Sequence, residues 1–158
     1  MLIHMEKTMK NKEFIILEII PTSSNPEKGT IIQLSALKIK NLTLIDRFDY
    51  RLKDEYLPIK EMKNWINYDN DSFIYVESDK EILDNFKNWS TNLPIIIIDN
   101  IYTPLYLKNL DNNLEYIYDY LDMEYSTDLI KKIIEKYHLE PSNYIVDLLY
   151  EALIYHYQ

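Results

Sequence analysis

Glu13 to Lys38 reads EFIILEIIPTSSNPEKGTIIQLSALK and holds the most informative chemistry in the chain. A single carboxylate, Glu18, is embedded in the apolar run Phe14 to Ile20. The turn-forming stretch Pro21-Thr22-Ser23-Ser24-Asn25-Pro26 follows, and Gln33 interrupts a second apolar run. Further along, Asp99 closes the apolar stretch Pro94 to Ile98, while Asp119 and Asp147 lie in the C-terminal part. Carboxylates are the ligands of hard cations such as Mg²⁺, which keeps water at its remaining positions. Cysteine is absent, which excludes disulfides, thiolate metal sites and a Cys nucleophile. The histidines, His4, His138 and His156, have no metal-ligand spacing with one another and read as solvated or capping residues.

The elements that must position these groups follow from periodicity. Phe14 to Ile20 is rich in β-branched residues and nearly continuous in apolar character, as expected of a strand covered on both faces. Thr30 to Ile39 and Leu42 to Leu52 read as a second and third strand, with Lys40-Asn41 as the hairpin turn. Leu57 to Glu77, with Pro58, Asn64, Asn67, Asn70 and Asp71, reads as irregular. Ser78 with Glu81 three residues later is a capping box, followed by the helical face Ile82, Leu83, Phe86 and Trp89. Pro94 to Ile98 reads as a central strand, Thr103 to Leu110 as a helix with Pro104 in its first turn, and Leu114 to Tyr118 as a short strand. Thr127 to Tyr137 and Ser142 to Tyr155 complete the chain as helices. The order β-β-β-α-β-α-β-α-α defines a mixed five-stranded sheet flanked by helices, an α/β fold of three layers.

Composition bounds the rest. A chain of 158 residues is one domain with a substantial core, and 47% hydrophobic with 27% charged residues is ordinary for a globular protein. Residues 1–12 read as a flexible lead-in to a domain over 13–158. No apolar run approaches the ~20 residues of a membrane span, and a cytoplasmic protein is expected. The formal charge of −9 repels a polyanion at long range, whereas nucleic-acid binding draws on cations that displace counterions.

Asn25-Pro26-Glu27-Lys28-Gly29 and Ile31-Ile32-Gln33-Leu34, placed after a strand that carries Glu18, closely resemble the opening block of the DnaQ-like, or RNase T-like, 3′–5′ exonucleases. That resemblance implies a ribonuclease H-like fold. It also implies a site in which four carboxylates hold two divalent ions about 4 Å apart, served by a histidine or tyrosine base. The family's Asp-x-Glu falls on Glu18-Ile19-Ile20, so one carboxylate is lengthened and the other is replaced by Ile20. The Asn-x-x-Phe-Asp block falls on Asn100 to Pro104, where Pro104 offers no ligand. Asp99, just before it, is read as a turn former or helix cap, with substitute ligand as its other role. The His-x-x-x-x-Asp block falls on Ser142 to Asp147, which keeps the Asp and replaces the base by Ser142; Tyr144 is one residue out of place for the tyrosine version.

The resemblance therefore implies a catalytically degenerate exonuclease-fold protein. Glu18 and Asp147 are the remnant slots, and Ile20, Pro104 and Ser142 the degenerate ones. No cofactor is expected, and Ile20 and Pro104 are expected to fill the old cleft. The partner is a protein or a nucleic-acid end, reached through Tyr144, Tyr150 and Tyr155 of the last helix, with Tyr157 beside them. Homodimerisation is a secondary expectation, and a regulator from a phage or mobile element one setting for such a protein. The alternative is an active 3′–5′ exonuclease that uses Mg²⁺ or Mn²⁺ on Glu18, Asp99, Asp147 and Asp119.

Overall fold

A computed structural model describes residues 9, 11–66, 73–76, 78–99, 101–142 and 144–158. The expectations for His4, Asn67, Asn70, Asp71, Asn100 and Asn143 lie outside them. The elements are β1 (Glu13–Pro21), β2 (Ile31–Lys40), β3 (Thr43–Leu52), β4 (Ile74–Val76), α1 (Asp79–Ser90), β5 (Ile95–Ile97), α2 (Thr103–Tyr106), β6 (Leu114–Tyr116), α3 (Ile117–Tyr120), α4 (Leu129–Tyr137) and α5 (Ile145–Tyr157). Two 3-10 turns, Asp54–Tyr56 and Lys60–Trp65, follow β3.

Among the described residues the sheet has six strands in the order β4-β3-β2-β1-β5-β6, one more than the five expected. The added strand is β4, which pairs parallel to β3 through Tyr50↔Ile74, Arg51↔Tyr75 and Leu52↔Val76. Three residues cannot display a period of two, so this strand exists by virtue of its partner. The other pairings leave β2 as the one strand running against the rest. The carboxyl ends of β1, β3, β4, β5 and β6 therefore share one edge, where ligands of open α/β sheets characteristically bind.

Both faces of β1 are covered, which explains its unbroken apolar run: Phe14, Ile15, Ile16, Leu17 and Ile19 are all at most 2% exposed. Phe14, Ile16, Leu37 and Ile39 pack against α4 and α5 through Leu129, Ile133, Val146, Leu149, Ala152 and Leu153. Ile15, Leu17, Leu34, Phe48 and Tyr50 pack on the opposite face against α1 and α2 through Ile82, Phe86 and Tyr106. These are the three layers of the sequence reading. The Ser78 hydroxyl caps α1 by accepting from the Glu81 N–H at 3.2 Å.

Two local corrections have clear causes. The hairpin between β2 and β3 turns on Asn41 and Leu42, one residue later than expected, both with positive φ (54° and 60°). Such a turn matches the twist of the strands but is costly for leucine. Tyr150 clamps it, donating its hydroxyl to the Leu42 carbonyl at 2.8 Å and accepting from the Leu44 N–H at 3.1 Å. At the N-terminal end, Met9 is 2% exposed within the core and Lys12 pairs with Glu115 at 3.3 Å. These two residues of the expected lead-in are thus fastened to the domain.

Candidate functional site

Glu18 leaves β1 at the carboxyl edge of the sheet and lines an open depression of about 400 Å³. Ile19, Ile20 and the loop Pro21 to Ser24 form one wall, and Trp65 and Tyr102 reach in from other segments. Ile20 is thus part of the wall of a cleft that stays open, contrary to the expected plug, and Pro104 takes its place in the first turn of α2. Trp65 is 47% exposed and comes from the second 3-10 turn.

The loop wall is rigid for reasons written into its residue types. Thr22 Oγ1 accepts from the Thr30 N–H at 2.9 Å, Ser23 Oγ from the Asn25 N–H at 3.1 Å, and Asn25 Oδ1 from the Glu27 N–H at 3.0 Å. Asp79, at the start of α1, accepts on one oxygen from the Thr30 hydroxyl at 2.7 Å and the Ile31 N–H at 2.8 Å. Tyr106 donates to the Ser23 carbonyl at 2.7 Å. Gly29, the chain's one glycine, lets this happen: a Cβ there would lie 2.5 Å from the Tyr106 hydroxyl oxygen and 2.8 Å from Ser23 Cβ.

Asp99 and Asp147 are engaged by the protein itself. Asp99 accepts from the N–H groups of Ile101 (2.6 Å) and Tyr102 (3.0 Å) on Oδ1, and of Thr103 (2.9 Å) on Oδ2. This is the turn and cap role, and it uses both oxygens. Burial, then Asp99, then Glu18 push the Tyr102 phenol up to about 12, which places both carboxylates in the surroundings of that ring. Asp147, in the first turn of α5, accepts from Arg47 Nη1 at 3.2 Å. Ser142 Oγ accepts from the Tyr144 N–H at 3.0 Å ahead of α5, and Asp119 is exposed on α3. His138 ends α4 in the left-handed conformation, while His156 bonds the Tyr137 hydroxyl at 2.7 Å.

Beside the cleft runs a strip of polar side chains that sequence reasoning missed. Register places Glu18, Ser35 and Asp49 in one row across β1, β2 and β3, and Ile20, Gln33 and Arg51 in the next. Residues directly opposite across neighbouring strands share a face, here the face under α5. Gln33, Ser35, Asp49 and Arg51 are each at most 7% exposed. Arg47 Nε donates to Asp49 Oδ2 at 2.9 Å, and Arg51 Nη2 to Asp54 Oδ1 at 2.6 Å. Arg51 and Lys53 also line a second open depression of about 460 Å³ with Asp54, Glu55 and Tyr75. The signal was the alternation of Arg47, Asp49 and Arg51 with Phe48, Tyr50 and Leu52, which resembles a solvated strand face.

Among the described residues, no group of three or more His, Cys, Asp or Glu side chains is disposed to hold a metal ion. The carboxylates of the described residues do not fit the two-ion site that the resemblance implies. Of the proposed partner-binding tyrosines, Tyr144 and Tyr155 are 43% and 55% exposed, whereas the Tyr150 hydroxyl is spent on the hairpin. No described helix is long and apolar enough to cross a membrane.

A six-stranded mixed sheet between helical layers, with the cleft at the carboxyl edge, is a ribonuclease H-like fold. The solved structures that share it include exonuclease I, at a TM-score of 0.59 and 12% identity over 90% of this chain and 40% of that one. The zinc-bound complex of E. coli exonuclease I with single-stranded DNA is similar at 0.59 and 13% identity, covering 93% of this chain and 40% of that one. A complex of exonuclease I with SSB-Ct matches at 0.59 and 13%, covering 90% and 40%. The chain thus spans about two-fifths of the length of these enzymes. No protein-family model and no curated protein sequence matches it.

Proposed function

We infer that the chain is a catalytically degenerate exonuclease-fold module that holds a single-stranded nucleic-acid end without cutting it. The observation that carries this reading is the engagement of the carboxylates: Asp99 is spent on three backbone N–H groups and Asp147 on Arg47. Ile20 and Pro104 supply no ligand at the other slots. The cleft nevertheless keeps what binding needs. Trp65 and Tyr102 offer ring faces beside Glu18 and the hydroxyl-bearing loop, and base–aromatic stacking contributes ~1–3 kcal/mol per base. The structural neighbours include a complex with single-stranded DNA and one with SSB-Ct, so strand and protein tail are both occupants to test. With a charge of −9, affinity rests on stacking and hydrogen bonds, and depends weakly on salt.

The competing reading is an active Mg²⁺- or Mn²⁺-dependent 3′–5′ exonuclease, and the openness of the cleft at Glu18 favours it. One experiment separates the two. Fluorescently labelled single-stranded DNA and RNA, with free or blocked 3′ ends, are titrated with protein and then incubated with Mn²⁺. Retained anisotropy without shortening, weakened roughly 5- to 150-fold by Trp65→Ala, supports the binding module. Mononucleotide release that Asp147→Ala abolishes overturns it. Binding of an SSB-type C-terminal peptide with no affinity for either nucleic acid moves the partner to protein.

A further inference from the structure

We propose that Arg47 is a built-in counter-ion that takes over the electrostatic task of a divalent metal at this site. The inference rests on the degenerate-exonuclease reading and deepens it by naming what replaced the metal. The Arg47 guanidinium lies between two carboxylates from different layers. Nε meets Asp49 Oδ2 at 2.9 Å, and Nη1 meets Asp147 Oδ1 at 3.2 Å. Asp49 comes from the sheet and Asp147 from α5, so the cation joins helix to strand as a bridging ion does.

Three further observations point the same way. The Asp49 side chain is only 5% exposed, and a buried carboxylate is costly unless a cation compensates it. Its second oxygen, Oδ1, is buried with no hydrogen-bond partner, so the ion pair with Arg47 through Oδ2 carries the compensation of its charge. Glu18 stands in the same row with only Ser35 between them. Two strand spacings put the Glu18 and Asp49 backbones about 10 Å apart, and Ser35 between them is buried, its hydroxyl accepting from Gln33 Nε2 at 2.9 Å. Arg47 therefore stands as a permanent cation between Asp49 and Asp147, with Glu18 further along the same row of the sheet. A guanidinium cannot lose its proton under ordinary conditions, and its planar fork can engage two carboxylates at once. Unlike Mg²⁺ or Mn²⁺ it presents no open coordination position for a water, so it preserves the architecture without supplying a nucleophile.

The test reads metal affinity and stability. Melting temperatures of the wild type and of Arg47→Gln are measured in EDTA, in millimolar Mn²⁺ and in millimolar methylguanidinium, with Mn²⁺ binding followed by calorimetry. The wild-type temperature stays unmoved by Mn²⁺. Arg47→Gln melts lower in EDTA and recovers with either cation, binding Mn²⁺ roughly tenfold or more tightly than wild type. Adding Asp49→Asn and Asp147→Asn removes the recovery. Should Arg47→Gln not fold, Arg47→Lys carries the test: its ammonium keeps the charge but not the fork, and an intermediate response to Mn²⁺ is expected. A wild type that gains as much from Mn²⁺ as the variants, or folded variants that respond to neither cation, overturns the proposal. Nuclease activity of the wild type sinks the binding-only reading whatever the Arg47 variants do. Inactive wild type with unresponsive variants sinks this inference alone.

Discussion

The loop from Pro21 to Thr30 and the charged strip on β3 flank the same end of the sheet, yet they are held by opposite means. In the loop, hydroxyls, an amide and backbone groups satisfy one another, and one carboxylate, Asp79, anchors the exit into β2. In the strip, charge is set against charge: Arg47 with Asp49 and Asp147, Arg51 with Asp54. Neutral networks of this kind fix geometry and leave the neighbouring cleft accessible. Charge pairs neutralise one another and leave little for an external ion. An open depression and an internally neutralised charged strip therefore share one edge of one sheet.

The comparison is sharpest where the loop is tightest. Gly29→Ala should cost about 2–3 kcal/mol in urea unfolding, because the new Cβ meets both the Tyr106 hydroxyl and Ser23 Cβ. In a Tyr106→Phe background the penalty should shrink, and an undiminished penalty would place the strain elsewhere. Asp79→Ala should follow at about 2 kcal/mol, through two charge-assisted hydrogen bonds lost at the start of β2. The strip offers the contrasting case. Asp147 is 40% exposed and its partner Arg47 34%, so Asp147→Asn should cost less than about 1 kcal/mol. A larger loss would mean that the strip is as stiff as the loop.

Two pH experiments extend the contrast with smaller effects. Tyr102 has its phenol raised to about 12 by burial and the nearby Asp99 and Glu18. The unfolded phenol ionises first, so this stabilising contribution is intact below about pH 10 and declines as pH rises towards 12. Tyr102→Phe should flatten that alkaline limb in chemical unfolding curves. Asp46, on the strand that carries the strip, is held below the usual carboxylate range by hydrogen bonds from Trp89 and the Arg47 N–H. Its stabilising contribution is present above the unfolded pKa near 4 and is lost as pH falls through the folded value. Asp46→Asn should make unfolding less pH-dependent there, by a small margin given its exposure.

Much of this site could be read before any coordinates. The loop Asn25 to Gly29 and the run Ile31 to Leu34 led to the fold through their resemblance, and the Asp99 cap was expected from its place after an apolar strand. Trp65 was not singled out, because it sits in a stretch with no periodic pattern and reaches the cleft only through the path of the chain after β3. Tyr150 looked like partner surface until Leu42 adopted a conformation that its hydroxyl stabilises. Ile20 looked like a plug because a lost ligand suggests a filled site; the wall it forms leaves the cleft open.

The sequence by itself determined the covered strands, the amphipathic helices and the turn-forming loop, and its resemblance implied carboxylate slots at Ile20 and Pro104. Those are properties of single residues and short periods, which persist in any fold consistent with the pattern. Tertiary structure alone decided that β4 would pair, that the charged side of β3 would lie under α5, and that Arg47 would stand between Asp49 and Asp147. Alternation marks two faces of a strand but does not say which is buried. A charge separated from its partner by 100 residues of chain becomes a counter-ion only after the layers close.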